Sequence, residues 1–174
     1  MIQQLSFDGI NWIGLVVRDD RRSIDVLASL PFVDAKRIGC VGLSGGGFRS
    51  TYLAGMDERI KAAVIVGWMS TLSSIGHIPY STHSDMYLPY GLHAVLDHPD
   101  VATLGAPQCA IFVQSRRDRL FPAAGMADAV AKIRNVYANE KHAERFRSEL
   151  YDAPHSFTVA MQEEAFAWLE NWLK

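Results

Sequence analysis

Arg37-Ile38-Gly39-Cys40-Val41-Gly42-Leu43-Ser44-Gly45-Gly46-Gly47 is the stretch on which the fold turns. Its first seven residues form an apolar run of strand length. From Gly45 to Ala54 the pattern becomes that of a helix, which Gly55 can close in a left-handed cap. Gly42-Leu43-Ser44-Gly45-Gly46 is therefore a G-x-S-x-G elbow between a strand and a helix, the context the motif requires. Such a turn strains the backbone of its serine, so side chains two residues before and two after would collide, and glycine at 42 and 46 removes them. The turn lifts the Ser44 hydroxyl above the sheet edge. The following helix aims its positive dipole end and the Gly45 N–H at the same point, where an oxyanion could develop. The competing interpretation is a plain glycine-rich turn, one for phosphate included. The stretch has neither the lysine of a P-loop nor the spacing of a dinucleotide fingerprint.

Outward from this turn, short apolar runs alternate with longer helical patterns, the signature of a mainly parallel sheet covered by helices. Residues 62–68 predict a second strand, residues 109–114 a third, and residues 146–151 a weaker fourth. An alanine-rich helix is expected from about Pro122 to about Asn139. The final segment spaces Phe157, Met161, Ala165, Trp168, Leu169 and Trp172 as the buried stripe of an amphipathic helix. Ahead of the first strand, Asp20 to Leu30 reads as a helix with Ile24, Leu27 and Ala28 turned inward, ended by Pro31. The Asp8-Gly9 pair within residues 5–12 suggests a tight hairpin. From Ser70 to Pro107 the periodicity breaks, and the segment reads as a pocket wall or cap loop. The whole reads as one α/β domain over residues 1–174, of about four strands.

Composition narrows the partners. With 49% hydrophobic residues, 21% charged residues and a net charge of -2, the chain can bury one core and offers no basic face for nucleic acid. No apolar run approaches the roughly 18 residues of a membrane span, and the N-terminus lacks the layout of a signal peptide. A cytoplasmic protein with a small neutral substrate, no membrane and no nucleic-acid partner is expected. Cys40 and Cys109 fall in strand-like runs and read as buried free thiols.

A serine hydroxyl is a weak nucleophile near neutral pH, so it needs a histidine base and an acid to orient it. Asp118 follows the third strand and His155 the fourth, in the Ser, Asp, His chain order of a nucleophile-elbow enzyme. Alone, an aspartate beside Arg116, Arg117 and Arg119 is more often a solvated charge, and a lone histidine can be a cap. Together, with each residue at a strand's carboxyl end, they point to a triad. Asp85 and Asp97 are the alternative acids.

Several stretches resemble the dienelactone-hydrolase and acetyl-xylan-esterase-like branch of the α/β-hydrolase family. They are residues 33–39, the elbow through Gly47, residues 57–64, Ala106-Pro107, Asp118-Arg119-Leu120-Phe121-Pro122 and Ala153-Pro154-His155-Ser156-Phe157. The similarity covers the chain from about residue 19 onward. It implies the C-terminal half of an α/β-hydrolase, a truncated fold whose strands are the last four of a longer sheet. It also implies that Ser44, Asp118 and His155 are the catalytic residues. The family's earlier strands, and the loop giving a second oxyanion N–H, would lie upstream of residue 19. Losing one such donor costs about 3 to 4 kcal/mol of transition-state stabilisation. An unpaired first strand would also favour a homo-oligomer or cover by the N-terminal segment.

Leu43, Trp68, Met69 and Phe121 are the expected substrate-lining residues. His77, His83, His93 and His98 show no metal-ligand spacing and read with Tyr80, Tyr87 and Tyr90 as a polar aromatic wall. No metal or cofactor is implied. The expected activity is hydrolysis of short-chain carboxylic esters through an acyl-enzyme. A serine peptidase or amidase, or a non-catalytic remnant acting as a binding module, are the alternatives.

Overall fold

The computed structural model describes residues 9–75, 91–117 and 120–174. Four strands, β1 (Ile38–Leu43), β2 (Ile60–Val66), β3 (Ala110–Arg116) and β4 (Phe146–Tyr151), form one sheet in the order β1-β2-β3-β4. Every neighbouring pair is parallel. One row crosses the whole sheet, with Leu43 paired to Val66, Val66 to Gln114 and Gln114 to Glu149. Parallel strands in sequence order place every strand's carboxyl end along a single rim.

The two central strands are buried on both faces, which is why each reads as an unbroken apolar run. Ala63, Ile65, Ile111 and Val113 face one helical layer, made of α1 (Trp12–Ser29), α2 (Gly45–Met56), α4 (His98–Thr103) and α5 (Ala123–Asn139). Val64, Val66 and Phe112 face the other, where Met161 and Ala165 of α6 (Val159–Trp172) cover them. Cys109 is buried and Cys40 half-buried, and both are free thiols. Burial pushes the Cys40 thiol up to about 12, so it stays protonated near neutral pH.

The structure departs from the sequence reading at several points. Helix α1 starts at Trp12 rather than Asp20, with the Asn11 side chain accepting the Ile13 N–H at 2.9 Å. Its buried stripe is Ile13, Val17, Asp20 and Ile24. The charged member hid that stripe in the sequence. Asp20 is tolerated there because Arg49 Nε of α2 donates to both its oxygens, at 3.0 and 2.9 Å. Leu27, expected inside, is 41% exposed, whereas Ala28 packs on the core. Of the expected hairpin, residues 5–8 lie outside the described residues, Gly9 has a left-handed φ of 73°, and Trp12 is already helical.

Gly55 does not cap α2, which runs on to Met56 and ends at an extended Asp57. A Cβ at Gly55 would stand 1.8 Å from the Val101 carbonyl oxygen, so this glycine lets α4 approach. Strand β2 lies two residues earlier than expected, because Gly67, at φ 59°, turns the chain out of the sheet before Trp68. Part of the supposed cap loop is scaffold. Beyond the short α3 (Leu72–Ile75) and a single turn at Leu92–Ala94, α4 buries Val101 and Ala102. Residues 76–90, with His77, His83 and Asp85, lie outside the described residues. Among the described residues no helix is long and apolar enough to cross a membrane.

Candidate active site

Ser44 stands between β1 and α2 with φ 56° and ψ -116°, a left-handed conformation that costs a non-glycine residue on the order of 1–3 kcal/mol. The surrounding bonds hold it there. Its N–H donates to the Val66 carbonyl at 2.8 Å, and its own carbonyl accepts the Phe48 N–H at 2.9 Å. Although Ser44 occupies the N-cap position of α2, its side chain makes no capping hydrogen bond. The hydroxyl is therefore not consumed by the helix it precedes. Gly45 is the first residue of α2, so its N–H has no carbonyl partner within the helix.

The glycines divide the work differently from the sequence expectation. A Cβ on Gly42 would lie 2.2 Å from the carbonyl carbon and oxygen of Gly46, so position 42 admits glycine alone. A Cβ on Gly46 would meet nothing within 4 Å, which removes the collision expected there. The crowded partner is instead Gly47, where a Cβ would sit 2.7 Å from the Val66 carbonyl oxygen and 3.0 Å from Trp68 Cβ. Gly47 thus lets α2 settle onto β2. The run of three glycines was the available signal.

His155 lies in the exposed loop between β4 and α6. Within that loop Ser156 Oγ donates to the Pro154 carbonyl at 3.1 Å, and Gln162 Nε2 holds the Phe157 carbonyl at 2.8 Å. Strand β4 is three strand spacings, about 14 Å, from β1. Helix α6, however, packs over β2 and β3, so the loop must cross back along the rim toward the elbow. Sheet topology thus assigns Ser44 and the His155 loop to the same rim. Asp118, one residue beyond Arg117, lies outside the described residues. Of the alternative acids, Asp97 is engaged in holding the scaffold, since its Oδ1 accepts the Leu72 N–H at 2.9 Å and the His98 N–H at 2.7 Å. It caps α4 and ties it to α3.

Of the expected lining residues, Leu43 is half-buried and packs toward α6. Trp68, Met69 and Phe121 are only 4%, 2% and 3% exposed. The Trp68 ring meets Phe48 and Phe121 edge-on at 5.3 and 5.4 Å. These side chains are packed into the core, with Trp68 also beside the elbow, where a Cβ on Gly47 would come within 3.0 Å of Trp68 Cβ. An apolar cavity of about 670 Å³ lies elsewhere, between α1, α2 and α4, lined by Ile13, Val17, Tyr52, Met56, Leu96 and Val101. It includes neither Ser44 nor His155, and the chemistry of the rim outweighs its size.

No protein-family model matches the sequence. Among curated proteins, "Putative hydrolase YtaP" of Bacillus subtilis (strain 168) is 27% identical over 166 residues, covering 92% of this chain and 54% of that protein. The chain thus spans about half the length of this relative. Among solved structures, a glucuronoyl esterase from Solibacter usitatus superposes with a TM-score of 0.75 at 15% identity, over 91% of this chain and 48% of that one. The glucuronoyl esterase catalytic domain from Hypocrea jecorina gives 0.74 at 15% identity, over 90% and 50%. At such identities the likeness shows a shared α/β fold.

Proposed function

We propose that this chain is a serine hydrolase that cleaves short-chain carboxylic esters, with Ser44 as nucleophile, His155 as base and Asp118 as the acid that orients it. One observation carries the reading above the others. Ser44 is held in a costly left-handed turn at the carboxyl end of a parallel strand, and its hydroxyl is left out of helix capping. Strain of this kind is retained where it serves chemistry. The hydrolase name of the curated relative supports hydrolysis, and the esterase names of the fold neighbours favour an ester over a peptide bond.

In the proposed cycle His155 takes the Ser44 proton as Oγ bonds to the acyl carbon, and the Gly45 N–H faces the resulting oxyanion. The C–O bond to the alcohol breaks, and His155 returns its proton to the leaving oxygen. Water then attacks the acyl-enzyme with His155 again as base, releasing the acid and restoring Ser44. Trp68, Met69 and Phe121 are buried, and short acyl groups are the substrates this reading favours. The purified chain is expected to hydrolyse nitrophenyl acetate or butyrate at least about tenfold faster, by kcat/KM, than the octanoate, a difference of about 1.4 kcal/mol. Absence of any turnover above buffer would instead favour the second reading, a non-catalytic module.

A further inference from the structure

Strand β3 carries a second polar group to the rim, and this one is fully buried. Gln114 has 0% exposure and stands on the α6 face of the sheet, two residues beyond Phe112. Its row partner on the far side of β2 is Leu43, the residue before Ser44. A buried amide is tolerated only where its donors are used. Gln114 Nε2 donates to the Met161 carbonyl at 2.8 Å and to the Tyr151 hydroxyl at 3.1 Å. Tyr151 is the last residue of β4, and Met161 lies in the first turn of α6. One amide therefore holds both ends of the loop that contains His155.

The clamp is extended on each side. The Gln114 main-chain carbonyl accepts the Gly67 N–H at 2.9 Å, fixing the exit of β2 beside Trp68. Glu164 of α6, whose carboxylate acts on the Tyr151 hydroxyl, is ion-paired with Arg147 of β4. Burial and the Glu164 carboxylate push the Tyr151 phenol up to about 12, so it remains a neutral partner for the amide across the working pH range. The other end of the Gln114 side chain is poorly served. Oε1 is buried without a hydrogen-bond partner among the described residues.

We propose that Gln114 is a positioning residue that sets the His155 loop at the rim by pinning β4 and α6 to β3 through Tyr151 and Met161. The inference rests on the reading of His155 as the base. Its experiment compares the full chain with Gln114→Leu and Tyr151→Phe by two readouts, hydrogen exchange along α6 and steady-state hydrolysis of nitrophenyl acetate. In Gln114→Leu, exchange over residues 159–165 should rise about tenfold while the later turns of α6 stay unchanged. Its kcat should fall about ten- to a hundredfold with KM held within about twofold, as expected when a base is misplaced by about an ångström. Tyr151→Phe, which keeps the Met161 bond, should show the same split at smaller amplitude.

Unchanged exchange and unchanged kcat in Gln114→Leu would overturn the proposal, as would a lowered melting temperature with wild-type kcat in the folded protein. If Gln114→Leu does not fold, Tyr151→Phe decides alone, and wild-type behaviour in both readouts is then the refuting result. The two readings fail separately. Exchange tests the clamp whether or not the wild-type chain turns over ester, and turnover by both the wild type and a Gln114→Leu variant with native exchange would refute the clamp alone.

Discussion

Ser44→Ala will lower turnover of a short nitrophenyl ester by about 10⁴-fold or more while leaving the fold intact. Alanine also carries a Cβ, so it meets the same left-handed turn with the same strain, and the Val66 and Phe48 main-chain bonds remain. What disappears is the hydroxyl. Removing the nucleophile of a serine triad costs up to about 10⁶ in kcat, because histidine and carboxylate then have nothing to activate. A 10⁴-fold loss corresponds to about 5 kcal/mol of transition-state stabilisation. Ser44→Gly separates strain from chemistry. It should be equally inactive yet more stable than the parent by about 1 kcal/mol, because glycine adopts φ 56° at little cost. Initial rates and denaturant midpoints of the three proteins test both halves, and a Ser44→Ala protein with near-parental kcat would refute the assignment.

Gly42→Ala will abolish stable folding. Its Cβ would be placed 2.2 Å from the Gly46 carbonyl group, and the obstacle is backbone rather than a side chain that could swing away. Relief requires moving either the end of β1 or the start of α2, which together build the elbow. A loss of about 4–5 kcal/mol or more is expected, a large share of the stability of an ordinary domain. Gly46→Ala is the contrast. With nothing within 4 Å, it should fold normally and gain up to about 1 kcal/mol from helix propensity. Equal denaturant midpoints for the two variants would contradict this account of the turn.

The contrast between Gly42 and Gly46 shows how far the sequence could be read. Strands buried on both faces announce themselves as continuous apolar runs, and β2 and β3 were legible for that reason. Ser44 was legible because its motif and its strand-to-helix setting coincide. Which glycine gives way to which backbone depends on the approach of α2 to β2, and spacing along the chain does not encode it. The start of α1 was hidden by Asp20, since a buried acid breaks an apolar stripe unless its partner, Arg49, 29 residues away, is known. Leu27 faces solvent for a related reason, because the buried face is set by packing against α2 rather than by apolarity alone. Gln114 reads in sequence as one polar residue at the end of a strand. Its meaning lies in Tyr151 and Met161, 37 and 47 residues away. Trp68, Met69 and Phe121 read in sequence as lining residues, and their depth in the core depends on packing between elements, such as Trp68 against Phe48 and Phe121, which no periodicity announces.

The central claim is that histidine activates the Ser44 hydroxyl, and covalent labelling tests it most directly. The chain and its His155→Ala variant would be exposed to a fluorophosphonate, followed by peptide mass spectrometry of the adduct. The account predicts stoichiometric modification at Ser44 within minutes, slowed about 10³-fold or more in His155→Ala. Labelling no faster than that of an ordinary surface serine, or an adduct on another residue, would contradict it.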